Sequence, residues 1–307
     1  MLIRIRVQLL LALSLGFGLA CATTAPAPTP TGELFLWEVE RADGTGGVAH
    51  VLGSVHLSED ELTFDPAVER ALAAADTLVL EIDPDEADPV EISLLSVEIG
   101  YFLDGRTLEE VVGPETFDAL EQRAAELELP LTGFRTMKPW LVLLTLQVLA
   151  LQQEGYDVGK GVETRLTEDA AETGKPTEGL ETPAEQLEAF DRMPLEIQVR
   201  MLDDFLQGGA EDDNVSVLIE AWRLGDDVRL EQEVFGELAS DPSLAPVFET
   251  LYFERNDRMA RGIAERVDAG GRWFVAVGAG HVVGARGIPS LLTRDGYAVR
   301  RIPETAN

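Results

Sequence analysis

The sequence predicts an α/β fold, with a central mixed sheet built from N- and C-terminal strands and a large helical insertion between them. Three observations carry this expectation. Runs rich in β-branched and aromatic residues cluster toward the two ends, at 34–39, 48–54, 77–83, 273–277 and 297–302. The stretch 183–269 reads almost wholly as helix, divided at Met193-Pro194, Gly208-Gly209, Gly225-Asp226 and Asp241-Pro242. One strand near each end opens into the same spacing, Gly53-Ser54-Val55-His56 and Gly278-Ala279-Gly280-His281, in a chain with only three histidines.

Leu34 to Val39 alternates and is aromatic-rich, so it reads as a strand, and Asp43-Gly44-Thr45-Gly46-Gly47 is the turn to a hairpin partner, Val48 to Ser54. Asp65-Pro66 has the cap and first-turn proline of a helix start. Thr77 to Asp83 is a buried strand ending in acids. From Asp88 to about Leu129 the pattern is helical, broken at Gly105 and Gly113-Pro114. Trp140 to Leu151 is apolar but too short to cross a bilayer, and is expected as a core helix. A connector from Glu154 to Gly161 leads into a helix containing Glu163. Lys175 to Leu180 is a third core strand, and Thr182 with Glu185 forms a capping box with Pro183 at the first helical position. A helix from about Asn256 to Val267 delivers the chain into the strand at Trp273; Gly278 and Gly280 there are expected to adopt backbone angles closed to other residues. A helix near Ile288-Pro289 and a strand from Tyr297 to Ile302 close the fold. Strands from the two ends lying side by side would bring His56 and His281 into one site.

Residues 1–20 stand apart from the expected single domain at 33–304. Arg4 and Arg6, the apolar run Val7 to Leu15 and Gly18-Leu19-Ala20 have the order of a secretory signal peptide. The one cysteine, Cys21, follows where a bacterial lipoprotein is acylated, with Gly18 in place of the usual leucine; ordinary signal cleavage is the alternative. Residues 21–32, rich in Pro, Thr and Ala, read as the lipidated cysteine and its tether to a bilayer. The expected location is therefore the cell envelope, outside the cytoplasm, and no disulfide can support the domain. A 307-residue chain that is 45% hydrophobic has ample core without one. The net charge of -32, with Lys and Arg scattered among acids, argues against nucleic acid and against an electrostatic grip on anionic membranes.

His56 and His281 are candidate metal ligands or acid/base groups. Catalytic metal sites pair neutral imidazoles with a carboxylate and leave a position open for water. Glu81 and Glu181 both fall at the carboxyl ends of expected strands, the edge where open α/β sheets place ligands. Against this stands the plain reading of hydrogen-bonded loop histidines and solvated strand ends, which the mid-strand His50 and the acids Asp83, Asp85 and Glu86 receive. Arg255 and Asn256 open a helix: Asn256 as a cap, Arg255 as a fork for a substrate carboxylate or simply a helix residue. There is no His-Glu-x-x-His, Gly-x-Ser-x-Gly, phosphate loop or paired-cysteine motif.

Taken in order, several short motifs resemble the bacterial TraB/GumN family, related to the animal Tiki proteins. They are Leu52-Gly53-Ser54-Val55-His56-Leu57, Ala74 to Glu81, Met137-Lys138-Pro139-Trp140, Gly155-Tyr156-Asp157 and Gly179-Leu180-Glu181-Thr182 with Gln186 and Phe190. Arg255-Asn256 with Met259, and Val275 to His281, complete the set, which spans roughly 34 to 302. The resemblance implies an α/β fold whose sheet edge carries a metal-dependent hydrolytic site of two Gly-x-x-His motifs and a glutamate; Tiki proteins are described as metalloproteases. It maps onto His56, Glu81 and His281 as metal ligands, with Glu181 and Arg255 as further catalytic candidates.

The leading expectation is a membrane-tethered, metal-dependent hydrolase acting on a peptide or other small polar substrate. In it, Zn, Mn or Co sits on His56, Glu81 and His281, Glu181 is the base and Arg255 orients the substrate. The rival is a non-enzymatic lipoprotein that binds a peptide or supports envelope polysaccharide assembly. A metal-free acid/base esterase using His56 and Glu81 is the third.

Overall fold

The computed structural model describes residues 31–56, 63–153, 155–157, 160–208 and 215–305. Its strands are β1 (Glu33–Arg41), β2 (Val48–Ser54), β3 (Thr77–Ile82), β4 (Thr177–Glu181), β5 (Arg272–Gly278) and β6 (Tyr297–Pro303). They form one sheet in the order β4-β3-β5-β2-β1-β6. β4, β3, β5 and β2 run parallel, while β1 pairs antiparallel with both β2 and β6. The N-terminal hairpin and the C-terminal strands are thus neighbours, as the sequence predicted. Four parallel strands deliver their carboxyl ends to one edge, with Ser54 opposite Gly278 and Ile82 opposite Glu181.

The helices of the first half are α1 (Pro66–Ala74), α2 (Pro89–Gly100), α3 (Leu108–Val112), α4 (Pro114–Glu126), α5 (Pro139–Gln153) and α6 (Val162–Thr173). The second half carries α7 (Pro183–Asp191), α8 (Leu195–Gly208), α9 (Val215–Arg223), α10 (Asp227–Ser240), α11 (Ala245–Phe248), α12 (Glu254–Ala269) and α13 (Ile288–Arg294). Strand residues alternate between two apolar clusters. Leu78, Leu80, Phe274 and Ala276 pack with Val68, Leu72, Val162 and Leu166 of α1 and α6. Val79, Val275 and Val277 face the larger cluster built by the remaining helices. Burial on both faces explains why these strands read as continuous apolar runs.

Local signals were met where they were strong. Asp65 caps α1 by accepting from the Ala67 amide at 2.7 Å, and Thr182 with Glu185 forms the expected capping box of α7. Val142, Leu143 and Leu146 of α5 are buried, the core helix expected there. No helix among the described residues is long and apolar enough to cross a membrane.

Three expectations are corrected. The chain is already helical from Ala245, passing through a π turn at Glu249–Phe253 into α12, so Asn256 lies inside a helix and caps nothing. Gly278 has φ -51° and Gly280 is not among the positive-φ glycines, so neither supplies a left-handed angle. Thr31, expected in the tether, donates from its amide to the Leu224 carbonyl at 3.0 Å and belongs to the domain. The expected signal peptide and Cys21, together with Leu57, Val158, Gly159 and the break at Gly209, lie outside the described residues.

Candidate functional site

Each candidate side chain stands at the carboxyl edge of the sheet or on a helix that covers it. Glu81, the second-last residue of β3, is almost fully buried. Its Oε1 accepts the Gly278 amide of β5 at 2.7 Å. Its Oε2 accepts from Gln186 Nε2 of α7 at 2.9 Å and from Arg255 Nη2 of α12 at 2.7 Å. Burial alone would raise its pKa. Arg255 foremost, then His281, His56 and the Gly278 amide, overcome that and hold it at about 2. Gly278 matters here because its N–H is aimed at a carboxylate one strand away.

Arg255 joins two strand ends. Its Nε donates to both oxygens of Glu181, at 3.1 and 2.9 Å, and its Nη1 to the Leu251 carbonyl at 3.0 Å. Arg258 adds a 2.9 Å bond to Glu181 Oε1. The Arg255 and Glu181 side chains are both sealed from solvent. This placement corrects the two roles expected for them. The guanidinium fork is occupied by the protein's own carboxylates, so it is not open to a substrate carboxylate, and Glu181 is engaged by two arginines rather than poised as a base. Both glutamates are positioned by the fold as anchors of one buried cation.

His281, immediately after β5, is completely buried. Its Nδ1 lies 2.5 Å from Asn256 Oδ1 of α12, and its ring sits 5.2 Å from the Tyr252 ring at a tilt of 40°. Among the described residues its Nε2 has no hydrogen-bond partner, and it faces Glu81 Oε1 at 3.8 Å. Burial, reinforced by Arg255 and opposed by Glu81, pushes its pKa down to about 3, so the ring is neutral at ordinary pH. His56, just beyond β2, is partly exposed and places Nδ1 2.9 Å from Glu163 Oε1. Ser54 Oγ donates to the same oxygen. Burial opposes ionisation of Glu163, but His56 and Ser54 hold its pKa below the usual value. His50 points along the hairpin to Glu38 at 3.4 Å, away from this edge, as a mid-strand histidine was expected to.

The sequence reading missed Glu163 as a site residue and saw Asn256 only as a cap. One local sign of Glu163 was Gly161, two residues before it at a helix start. A Cβ there would lie 2.2 Å from the His56 carbonyl oxygen, so α6 can begin against the histidine only through glycine.

Among the described residues there is no ready-made group of three or more His, Cys, Asp and Glu arranged to hold a metal. The donors nevertheless fit a divalent ion in kind. A neutral imidazole with a bare, buried Nε2 faces an ionised carboxylate oxygen that retains a lone pair beside the Gly278 amide. His56 exits the strand next to it.

The sequence model of the TraB/PrgY/gumN family matches residues 35–301. The chain belongs to the TraB/PrgY/gumN family. It is also similar to the uncharacterized protein YbaP of Escherichia coli (strain K12), 25% identical over 249 residues that cover 79% of this chain and 87% of YbaP. The YbaP of Shigella flexneri is likewise 25% identical, over 80% of this chain and 87% of the relative. No solved structure matches. The family match runs from within β1 to within β6, so the buried Glu81–Arg255–Glu181 bridge and the His281 pocket lie wholly within this TraB/PrgY/gumN domain.

Proposed function

We propose that this TraB/PrgY/gumN protein is a metal-dependent hydrolase of the cell envelope, tethered through Cys21 and acting on a peptide. The observation that carries the reading is the buried His281 Nε2, which lacks a partner among the described residues while facing Glu81 Oε1. An unsatisfied buried polar atom costs about 1–3 kcal/mol. A divalent ion held by His281, Glu81 and His56 would satisfy it, and such an ion makes bound water acidic enough to attack near neutral pH. Zn, Mn and Co all suit imidazole with carboxylate.

The chain's own residues prepare that site. Arg255 keeps Glu81 ionised, and Glu181 with Arg258 keeps Arg255 in place. Asn256 and Tyr252 fix the His281 ring from two sides. A metal-free esterase with Glu81 as base is disfavoured, since a carboxylate with a pKa of about 2 is a weak base at neutral pH. A non-enzymatic role, binding a peptide or supporting polysaccharide assembly, is favoured by one observation: the described donors do not already form a complete metal cage.

Elemental analysis of the full-length protein in detergent, beside His56→Ala and His281→Ala, separates these readings. Near-equimolar Zn, Mn or Co in the wild type and not in the variants, with chelator-sensitive cleavage of a peptide library, is the expected result. No metal after repletion, or equal metal in both histidine variants, overturns the hydrolase and leaves the binding role.

A further inference from the structure

We propose that Glu163 and Asn256 are positioning residues that lock His56 and His281 in the same tautomer, with the proton on Nδ1, leaving Nε2 as the acceptor nitrogen of each ring. The inference rests on the metal-site reading and extends it, because it assigns two residues outside the ligand set and a state of the protein that precedes metal.

For His281 the assignment follows from hydrogen-bond polarity. Asn256 Nδ2 donates to the Arg286 carbonyl at 2.8 Å, an oxygen that can only accept. The opposite face of the same amide, Oδ1, is therefore what meets His281 Nδ1. An amide oxygen accepts and cannot donate, so the proton at this short contact belongs to Nδ1. Turning the amide over would set Oδ1 against the Arg286 carbonyl, two acceptors facing each other in a place closed to water. Asn256 and His281 are both fully buried, so no solvent relaxes that choice.

For His56 the partner is a carboxylate. Ser54 Oγ donates to Glu163 Oε1, which marks that oxygen as an acceptor. His56 Nδ1 and Ser54 Oγ therefore both donate to Glu163 Oε1. The local backbone enforces the pairing. Val162 donates to the Val55 carbonyl at 3.0 Å, which stitches the first turn of α6 to the exit of β2. Gly161 permits the approach, since any Cβ would strike the His56 carbonyl.

The two locks come from unrelated elements, the start of α6 and the middle of α12, yet act on the same ring atom of histidines leaving adjacent parallel strands. Partners that hold the far nitrogen of a ligating imidazole fix its orientation and raise its basicity, and their loss lowers metal affinity by about 10–100-fold. The arrangement sets both Nε2 atoms before an ion arrives.

The test is proton–nitrogen correlation NMR of the metal-free, full-length protein labelled at histidine, at mildly alkaline pH, where three histidines give a sparse spectrum. His56 and His281 are expected with Nδ1 protonated and Nε2 unprotonated. Glu163→Ala should move His56 toward the Nε2–H form that free imidazole prefers in water, and weaken metal binding about 10–100-fold in a competition titration. Glu163→Gln, which keeps an accepting oxygen, should restore the tautomer. A merely structural Glu163 would change the melting temperature and leave the ring nitrogens as they are. An Nε2–H signal for either site histidine in the wild type, or an unchanged His56 tautomer in Glu163→Ala, overturns the proposal. Because Asn256 is buried and Asn256→Ala is at risk of not folding, the His281 lock is read from the wild-type spectrum itself. Correct tautomers in a protein that takes up no metal would support the positioning assignment while refuting the metal site.

Discussion

Replacing Arg255 with methionine keeps a long, unbranched side chain but removes the cation that joins Glu81 to Glu181. Arg255 is fully buried and bonds both acids at 2.7–3.1 Å. Breaking a buried ion pair from one side leaves uncompensated charge, at about 3–5 kcal/mol. The depression of the Glu81 pKa from 4.5 to about 2 gives the same scale. At 1.36 kcal/mol per unit it corresponds to about 3 kcal/mol, of which His281, His56 and the Gly278 amide provide part. A deficit of about 3–5 kcal/mol in a chain of this length lowers the melting temperature by about 6–20 °C. The pH dependence follows from the sign of the shift. The folded pKa of Glu81 lies below its unfolded value, so its contribution is present above pH 4.5 and is lost as pH falls toward 2. Without the guanidinium, burial dominates and raises the Glu81 pKa, so acid takes less from the variant. Thermal unfolding of the metal-free protein should show the gap between wild type and Arg255→Met narrowing from about pH 7 to about pH 3. A loss below about 1 kcal/mol, or a gap of equal size at both ends, would refute the reasoning.

His281 should remain neutral through mild acid, with its ring signals titrating only toward pH 3, whereas an exposed histidine titrates near 6.5. Because that folded value is depressed, it contributes stability above 6.5 that is lost on acidification, visible as a lower melting temperature in acid that His281→Gln partly removes. Gly161→Ala puts a methyl group against the His56 carbonyl, and backbone on both sides must shift; a loss of about 1–3 kcal/mol in denaturant unfolding is expected, with a disturbed His56 resonance. Thr182→Ala removes one half of the α7 capping box and should cost about 1 kcal/mol in the same assay, leaving the histidine resonances in place.

Much of the frame was legible because its causes are local. The runs at 48–54, 77–83 and 273–277 alternate side chains between two apolar faces, and β2, β3 and β5 end within a residue of where the runs end. Glu81 and Glu181 were placed at strand ends by counting along those runs, and the parallel strands do set them at one edge. Asn256 shows where counting fails. A helix start was read at its position because asparagine favours caps, but the aromatic stretch around Phe248 and Tyr252 packs as continuous helix and carries the chain through a π turn past it. Its amide was then free to serve His281.

The sequence by itself determined the strands, the caps of α1 and α7, the acids and histidines at the sheet's carboxyl edge, and the family to which the chain belongs. Only the tertiary structure decided what those groups do to one another. Arg255 meets Glu81 across 174 residues and Ser54 meets Glu163 across 109. Secondary structure answers to neighbours a few residues away, through backbone sterics and side-chain periodicity. Charge state and tautomer answer to distance in space and to the exclusion of water, which exist only once β2, β3, β4 and β5 have been laid side by side under α12.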